Sequence, residues 1–251
     1  MSTRHTTRSG AAPEGMNARR LALPAARACA LAMALAVPAA EAARPLATED
    51  AGVLAPHGCE WESVVIDASS RGAPAERAWS NQIACGVGAG TQLALAHAAP
   101  RADGRGEPAW LLGGKTELLA GDDAPVALTL AYGAGYVRPA GGRGYQPAGR
   151  SVALVGSFSP AEGWTAHANL GWARDAAADA SGASWNLALE DALTATIDVG
   201  AEWFGAQHAS PQWGLGLRYT PSEHWSFNLG RTASTDAGQA RVWSAGLKFA
   251  F

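Results

Sequence analysis

GLKFAF, residues 246–251, is the stretch on which the fold turns. Leu247, Phe249 and Phe251 share one face of an extended strand, and Gly246, Lys248 and Ala250 share the other. Soluble domains usually finish in a frayed polar tail. A final strand that is apolar along one whole face to its last aromatic suits a strand end set in a bilayer.

Composition agrees with an apolar surround. The 251 residues carry 30 Gly, 10 Trp and only 16% charged side chains, against roughly 25% in soluble domains. A formal net charge of −3 excludes the basic balance that nucleic acid selects. Residues 1–42 read as a signal peptide: Arg19 and Arg20 precede the apolar run Ala30–Val37, Pro38 breaks it, and Ala40-Glu41-Ala42 supplies small residues for cleavage after Ala42. Residues 43–57 are expected to be a periplasmic N-terminal segment, and 58–251 an outer-membrane barrel. Past the leader no stretch holds ~18 consecutive apolar residues, so a closed barrel is the remaining way to span a membrane.

Alternating segments fall at 58–68, 78–88, 91–99, 109–119, 125–137, 150–158, 164–173, 184–190, 195–204, 212–220, 224–232 and 240–251. The expected fold is therefore all-β, a transmembrane antiparallel barrel of about 12 strands preceded by a signal peptide. Short connections (GAGT, AGDDAP, SPAEG, EDALT, TPSEH) alternate with mostly longer ones (SSRGAPAER, HAAPRADGRGEP, RPAGGRGYQPAGR, RDAAADASGA, GAQHASP, ASTDAGQ). Short periplasmic turns and long outer loops are the outer-membrane pattern. The short turns carry Asp122, Asp123, Glu162, Glu190, Asp191 and Glu223. The arginines gather by the long loops, where lipid and lipopolysaccharide phosphates would meet them.

Tryptophan marks the two interfaces. Trp79, Trp110, Trp172, Trp185, Trp203, Trp213 and Trp243 map to outer strand ends, and Trp61, Trp164 and Trp225 to inner ends. With aromatic and branched positions outward, the lumen receives Glu60, Glu62, Gln82, Lys115, Glu117, Thr129, His167, Asn169, Asn186, Asp198, Glu202, Arg218, Asn228 and Lys248. Buried charge must pair or stay wet. Lys248 is expected beside Glu60 and Glu62, and Lys115 beside Glu117. Gly216→Ser, on this inward face, should be mild. The first hairpin, centred on Gly72, sets Cys59 opposite Cys85, and in an exported protein that pairing predicts a disulfide.

Ser157, His167 and Asn169 resemble the Ser-His-Asn set of the outer-membrane phospholipase, another twelve-stranded barrel. Here they face the lumen and no motif of that enzyme surrounds them, so no catalytic residue is assigned and the chain is read as a non-enzyme. Six histidines without paired ligand spacing predict no metal and no cofactor.

ARPLATEDAGVLAPHGCEWESVV, residues 43–65, is similar to the mature start of proteobacterial outer-membrane proteins grouped with the meta-pathway of phenol degradation. The matching positions are Arg44, Pro45, Leu46, Thr48, Glu49, Asp50, Cys59 and Glu60. WSNQIACGVGAGTQLAL, GKTELL, HANLGWARD and GLGLRY resemble the same group. This resemblance implies a Gram-negative outer-membrane barrel that moves small organic molecules. The terminal Phe251 also resembles the signal read by the barrel-assembly machinery. The expected function is a passive channel or transporter for small solutes. A structural or adhesive barrel is the alternative, and a barrel lipid hydrolase a distant third.

Overall fold

The structure is a computed structural model that describes residues 45–251 apart from Ala73, Asp103, Gly104, 121–124, His208 and 237–240. The signal peptide at 1–42, Arg44, and the turn acids Asp122 and Asp123 lie outside the described residues.

Among the described residues thirteen strands form one antiparallel sheet: β1 (Cys59–Ser69), β2 (Glu76–Gly88), β3 (Thr91–Ala102), β4 (Arg105–Gly106), β5 (Ala109–Leu119), β6 (Val126–Val137), β7 (Gln146–Ala161), β8 (Trp164–Asp175), β9 (Ala180–Thr194), β10 (Ile197–Ala206), β11 (Gln212–Tyr219), β12 (Trp225–Ser234) and β13 (Arg241–Ala250). The two-residue β4 only folds back on the outer tip of β3. The other twelve are sequential neighbours, and β13 pairs with β1 to close the wall. Closure leaves no sheet edge, so each ladder group finds its partner within the wall. Among the described residues no helix is long and apolar enough to cross a membrane.

The outer surface is apolar in the manner of a lipid-facing wall. Leu93, Leu112, Leu154, Leu170, Leu187, Leu215, Leu217, Phe227 and Leu229 all project outward and are exposed. Their strand neighbours Gln92, Ala153, Asn169, Ala188 and Asn228 are buried within the barrel. Trp61, Trp164 and Trp225 stand at the end near the tight turns; Trp79, Trp110, Trp172, Trp203 and Trp243 stand toward the other end, all of them exposed.

The hairpins are tighter than the sequence pattern indicates. EDALT lies inside β9 and the turn falls at 195–196, which moves Glu190 from a turn into the wall, facing inward. SPAEG likewise contributes its first three residues to β7, leaving Glu162 and Gly163 as the turn. Outside, the strands run on past the expected ends: RDAAADASGA shrinks to a connection at 176–179, and the loop after β6 to 138–145. That latter loop is exposed almost throughout, with Arg138 over the Tyr145 ring at 5.8 Å.

The end of the chain is pinned. Phe251 N–H donates to Cys59 O and Cys59 N–H donates to Phe251 O, each at 2.8 Å. The Phe251 ring lies 5.7 Å from that of Phe249 on the outward face, and Cys59 is bonded to Cys85.

Candidate functional site: a lumen crossed by its own N-terminal strap

The sequence reading sets 43–57 apart as a periplasmic segment. In the structure, residues 45–54 instead lie inside the barrel as a strap across the lumen. Leu46, Thr48, Glu49 and Ala51 are as buried as any core side chain. The segment has no strand neighbour, so its backbone polar groups must be met by side chains from the wall.

Each part of the strap has its holder. Glu202 on β10 accepts the N–H groups of Ala47 and Thr48, both at 2.9 Å, and the Thr48 hydroxyl at 2.8 Å. Asn186 on β9 donates to Ala47 O at 3.1 Å. Asn169 on β8 clasps Glu49 from both sides, accepting its N–H at 2.8 Å and donating to its O at 2.9 Å. Ser157 on β7 accepts Ala51 N–H at 2.8 Å, while Thr129 on β6 donates to Ala51 O at 2.6 Å. Lys115 on β5 donates to Asp50 O at 3.1 Å and pairs with the carboxylates of Glu49 at 3.4 Å and Asp50 at 3.6 Å. Gln92 on β3 accepts Leu54 N–H at 2.8 Å. The chain then reaches Gly86 through the Pro56–Gly86 bridge and enters β1.

Glycine makes the room. Gly200, Gly216 and Gly230 are register partners across β10, β11 and β12. A Cβ on Gly216 would meet Pro45 Cβ at 2.5 Å, and one on Gly200 would meet Leu46 Cδ1 at 2.8 Å. This flat row is the floor on which the strap begins. Farther along, Ala51 packs with Ala131, Ala153 and Val155.

The lumen residues outside the strap form ion pairs and a hydrogen bond of their own. Lys248 pairs with Glu60 at 3.3 Å, and Gln82 donates to Glu62 at 3.4 Å. Arg218 bridges Asp198 and Glu190, each at 2.9 Å. The expected pairing of Lys115 with Glu117 is replaced by its pairing with Glu49 and Asp50. Glu117 is exposed at the periplasmic rim beside Gly90, because the strap presents two acids deeper in the lumen, where Lys115 is fully buried. Asn228 is buried on the inward face of β12.

Ser157 and His167 do come together, with Ser157 Oγ 2.8 Å from His167 Nδ1. Asn169 is turned to Glu49 instead, and Ser157 is covered by Ala51. Ser157 and Asn169 therefore hold the strap, and His167 stands behind Ser157. Among the described residues no group of three His, Cys, Asp or Glu is placed to hold a metal ion.

Sequence reasoning missed the strap itself. Two signals pointed to it: polar inward side chains on seven different strands, and the glycine row facing them.

Known structures share this architecture. The KdgM porin superposes with a TM-score of 0.58 at 7% identity, covering 76% of this chain and 99% of that one. The NanC porin follows at 0.53 and 9% identity, covering 75% and 98%. The translocator domain of the autotransporter NalP from Neisseria meningitidis superposes at 0.50 and 12% identity, covering 90% and 96%. These likenesses show the fold, a closed outer-membrane-type barrel. No curated protein matches the chain by sequence. A family model does, across residues 30–249, and the chain belongs to that family, described as uncharacterised conserved protein UCP029691.

Proposed function

We propose that the protein is a passive outer-membrane channel for small solutes, with the polar lumen as its path and the 45–54 strap as its constriction. One observation carries this reading. The strap is held by side chains and not by a strand ladder, so it can shift without unzipping any pair of wall strands. A barrel of twelve strands is wide enough to admit such a segment and still leave a path, where eight strands would be filled by side chains.

The solute class follows from the outer half of the lumen. Ala109, Val137 and Ala148 cluster there with Leu111 packed against them. This patch offers apolar contact, which suits small neutral organic solutes. The resemblance to outer-membrane proteins grouped with phenol degradation points the same way. Residues 1–42 act as the export signal in this reading, Phe251 is the mark read by the barrel-assembly machinery, and the apolar wall sits in the Gram-negative outer membrane among lipid and lipopolysaccharide.

The filled lumen favours a second reading, a structural barrel that moves nothing. Liposome swelling separates the two. Proteoliposomes of the full protein should admit phenol-sized neutral solutes, and faster once the strap is loosened by Glu202→Ala with Asn169→Ala. No flux from either protein would establish the structural barrel.

A further inference from the structure

We propose that Arg231, clamped between Trp213 and Trp243 on the outer face of the wall, binds the phosphate of an outer-leaflet glycolipid. The proposal rests on the membrane placement above and is independent of transport.

β12 alternates strictly. Ser226, Asn228 and Gly230 face inward, while Phe227, Leu229 and then Arg231 face out. A cation on a lipid-facing stripe is costly at the midplane and tolerated only near an interface. Arg231 meets that condition, since its register partner on β13 is the outer-girdle Trp243. The guanidinium carbon lies 5.0 Å from the centroid of the Trp243 ring and 5.8 Å from that of Trp213. Two indole faces hold the cation by their quadrupoles and fix its plane. Arg231 Nε is buried and has no hydrogen-bond partner among the described residues.

The surroundings select the ligand. Across Trp243 stands Asp67, the acid of that row, but it is taken by Arg77 at 3.0 Å. Arg241, two residues along β13 from Trp243, is exposed on the same outward face, one register step beyond Arg231. Two forked cations thus share one patch, a match for the oxygens of a phosphate. Leu215 and Leu229 lie beside the patch, exposed at 53% and 58%, and offer acyl chains a surface. A phosphate attached to acyl chains satisfies both halves of this site. The long-loop side of the barrel places it in the outer leaflet.

The test is native mass spectrometry of the full refolded protein in detergent with four probes: diphosphoryl lipid A, its dephosphorylated form, phosphatidylglycerol and inorganic phosphate. Wild type should retain diphosphoryl lipid A above the others. Arg231→Gln should lower that retention about tenfold, as loss of a charge-assisted contact does, with Arg231→Lys intermediate and the loop variant Arg143→Gln unchanged. Heat-modifiable gel mobility confirms that each variant is folded. Equal retention by Arg231→Gln would overturn the site, as would equal binding of dephosphorylated lipid. Preference for phosphatidylglycerol, or capture of inorganic phosphate alone, would overturn the glycolipid assignment.

Discussion

Glu202 holds Thr48 twice, accepting its backbone N–H at 2.9 Å and its hydroxyl at 2.8 Å on the same carboxylate oxygen. A carboxylate from the wall thus does for the strap what a neighbouring strand would do for a β-segment. Glu202→Ala removes that grip and one from Ala47, leaving donors unmet in the lumen. The expected outcome is a severalfold rise in single-channel conductance in planar bilayers. Traces identical to wild type would take the strap out of the conducting path.

The Lys115 ammonium is fully buried against Glu49. Lys115→Met strands that carboxylate in the lumen and should destabilise the barrel by roughly 3–5 kcal/mol. Adding Glu49→Leu should recover much of the loss. Urea midpoints of the refolded proteins report both steps, and a double variant no better than the single would show that the pair is not coupled.

Leu217 and Gly216 are adjacent but face opposite media. Leu217→Arg puts a charge on the exposed apolar wall, at ~2–4 kcal/mol near the midplane. Gly216→Ser, expected from sequence to be mild, should instead press on the strap, because its Cβ would meet Pro45. It should leave the wall intact and displace the strap, visible as raised conductance at near-normal heat-modifiable mobility. Equal tolerance at both positions would contradict the two-faced wall.

Cys59 and Cys85 are bonded in the structure, directly opposite each other on β1 and β2. Alkylation of the unfolded, non-reduced protein should label neither, and both should be labelled after reduction. Two labelled thiols without reductant would remove the bridge.

Ion preference follows from the lining. Glu60, Glu62, Asp198, Glu190 and Glu202 outnumber Arg218, Lys115 and Lys248, and the strap adds Glu49 and Asp50. Exposed loop arginines are screened beyond a Debye length of ~8 Å, so the lining should give a weak cation preference. Reversal potential across a salt gradient measures it, and clear anion selectivity would overturn it.

Much of the wall was legible in the sequence because a lipid-facing strand obeys a period of two, and every inward or outward assignment propagates along it. Cys59 opposite Cys85 follows from that period and from hairpin symmetry, and Lys248 beside Glu60 and Glu62 follows once β13 closes on β1. Local boundaries were less legible: EDALT has turn-like acids, yet Glu190 is drawn into the wall by Arg218, a partner two strands away. The strap was illegible for a stronger reason. TEDAG, residues 48–52, has no period, and its polar residues suit solvent as well as they suit a lumen. What settles its place is a set of partners about 40 to 155 residues distant, Gln92, Lys115, Ser157, Asn169 and Glu202. Only closure of the barrel brings these to one level, around a glycine floor that leaves space for the chain. Sequence alone fixes which side chains face inward; the closed tertiary structure decides what they hold.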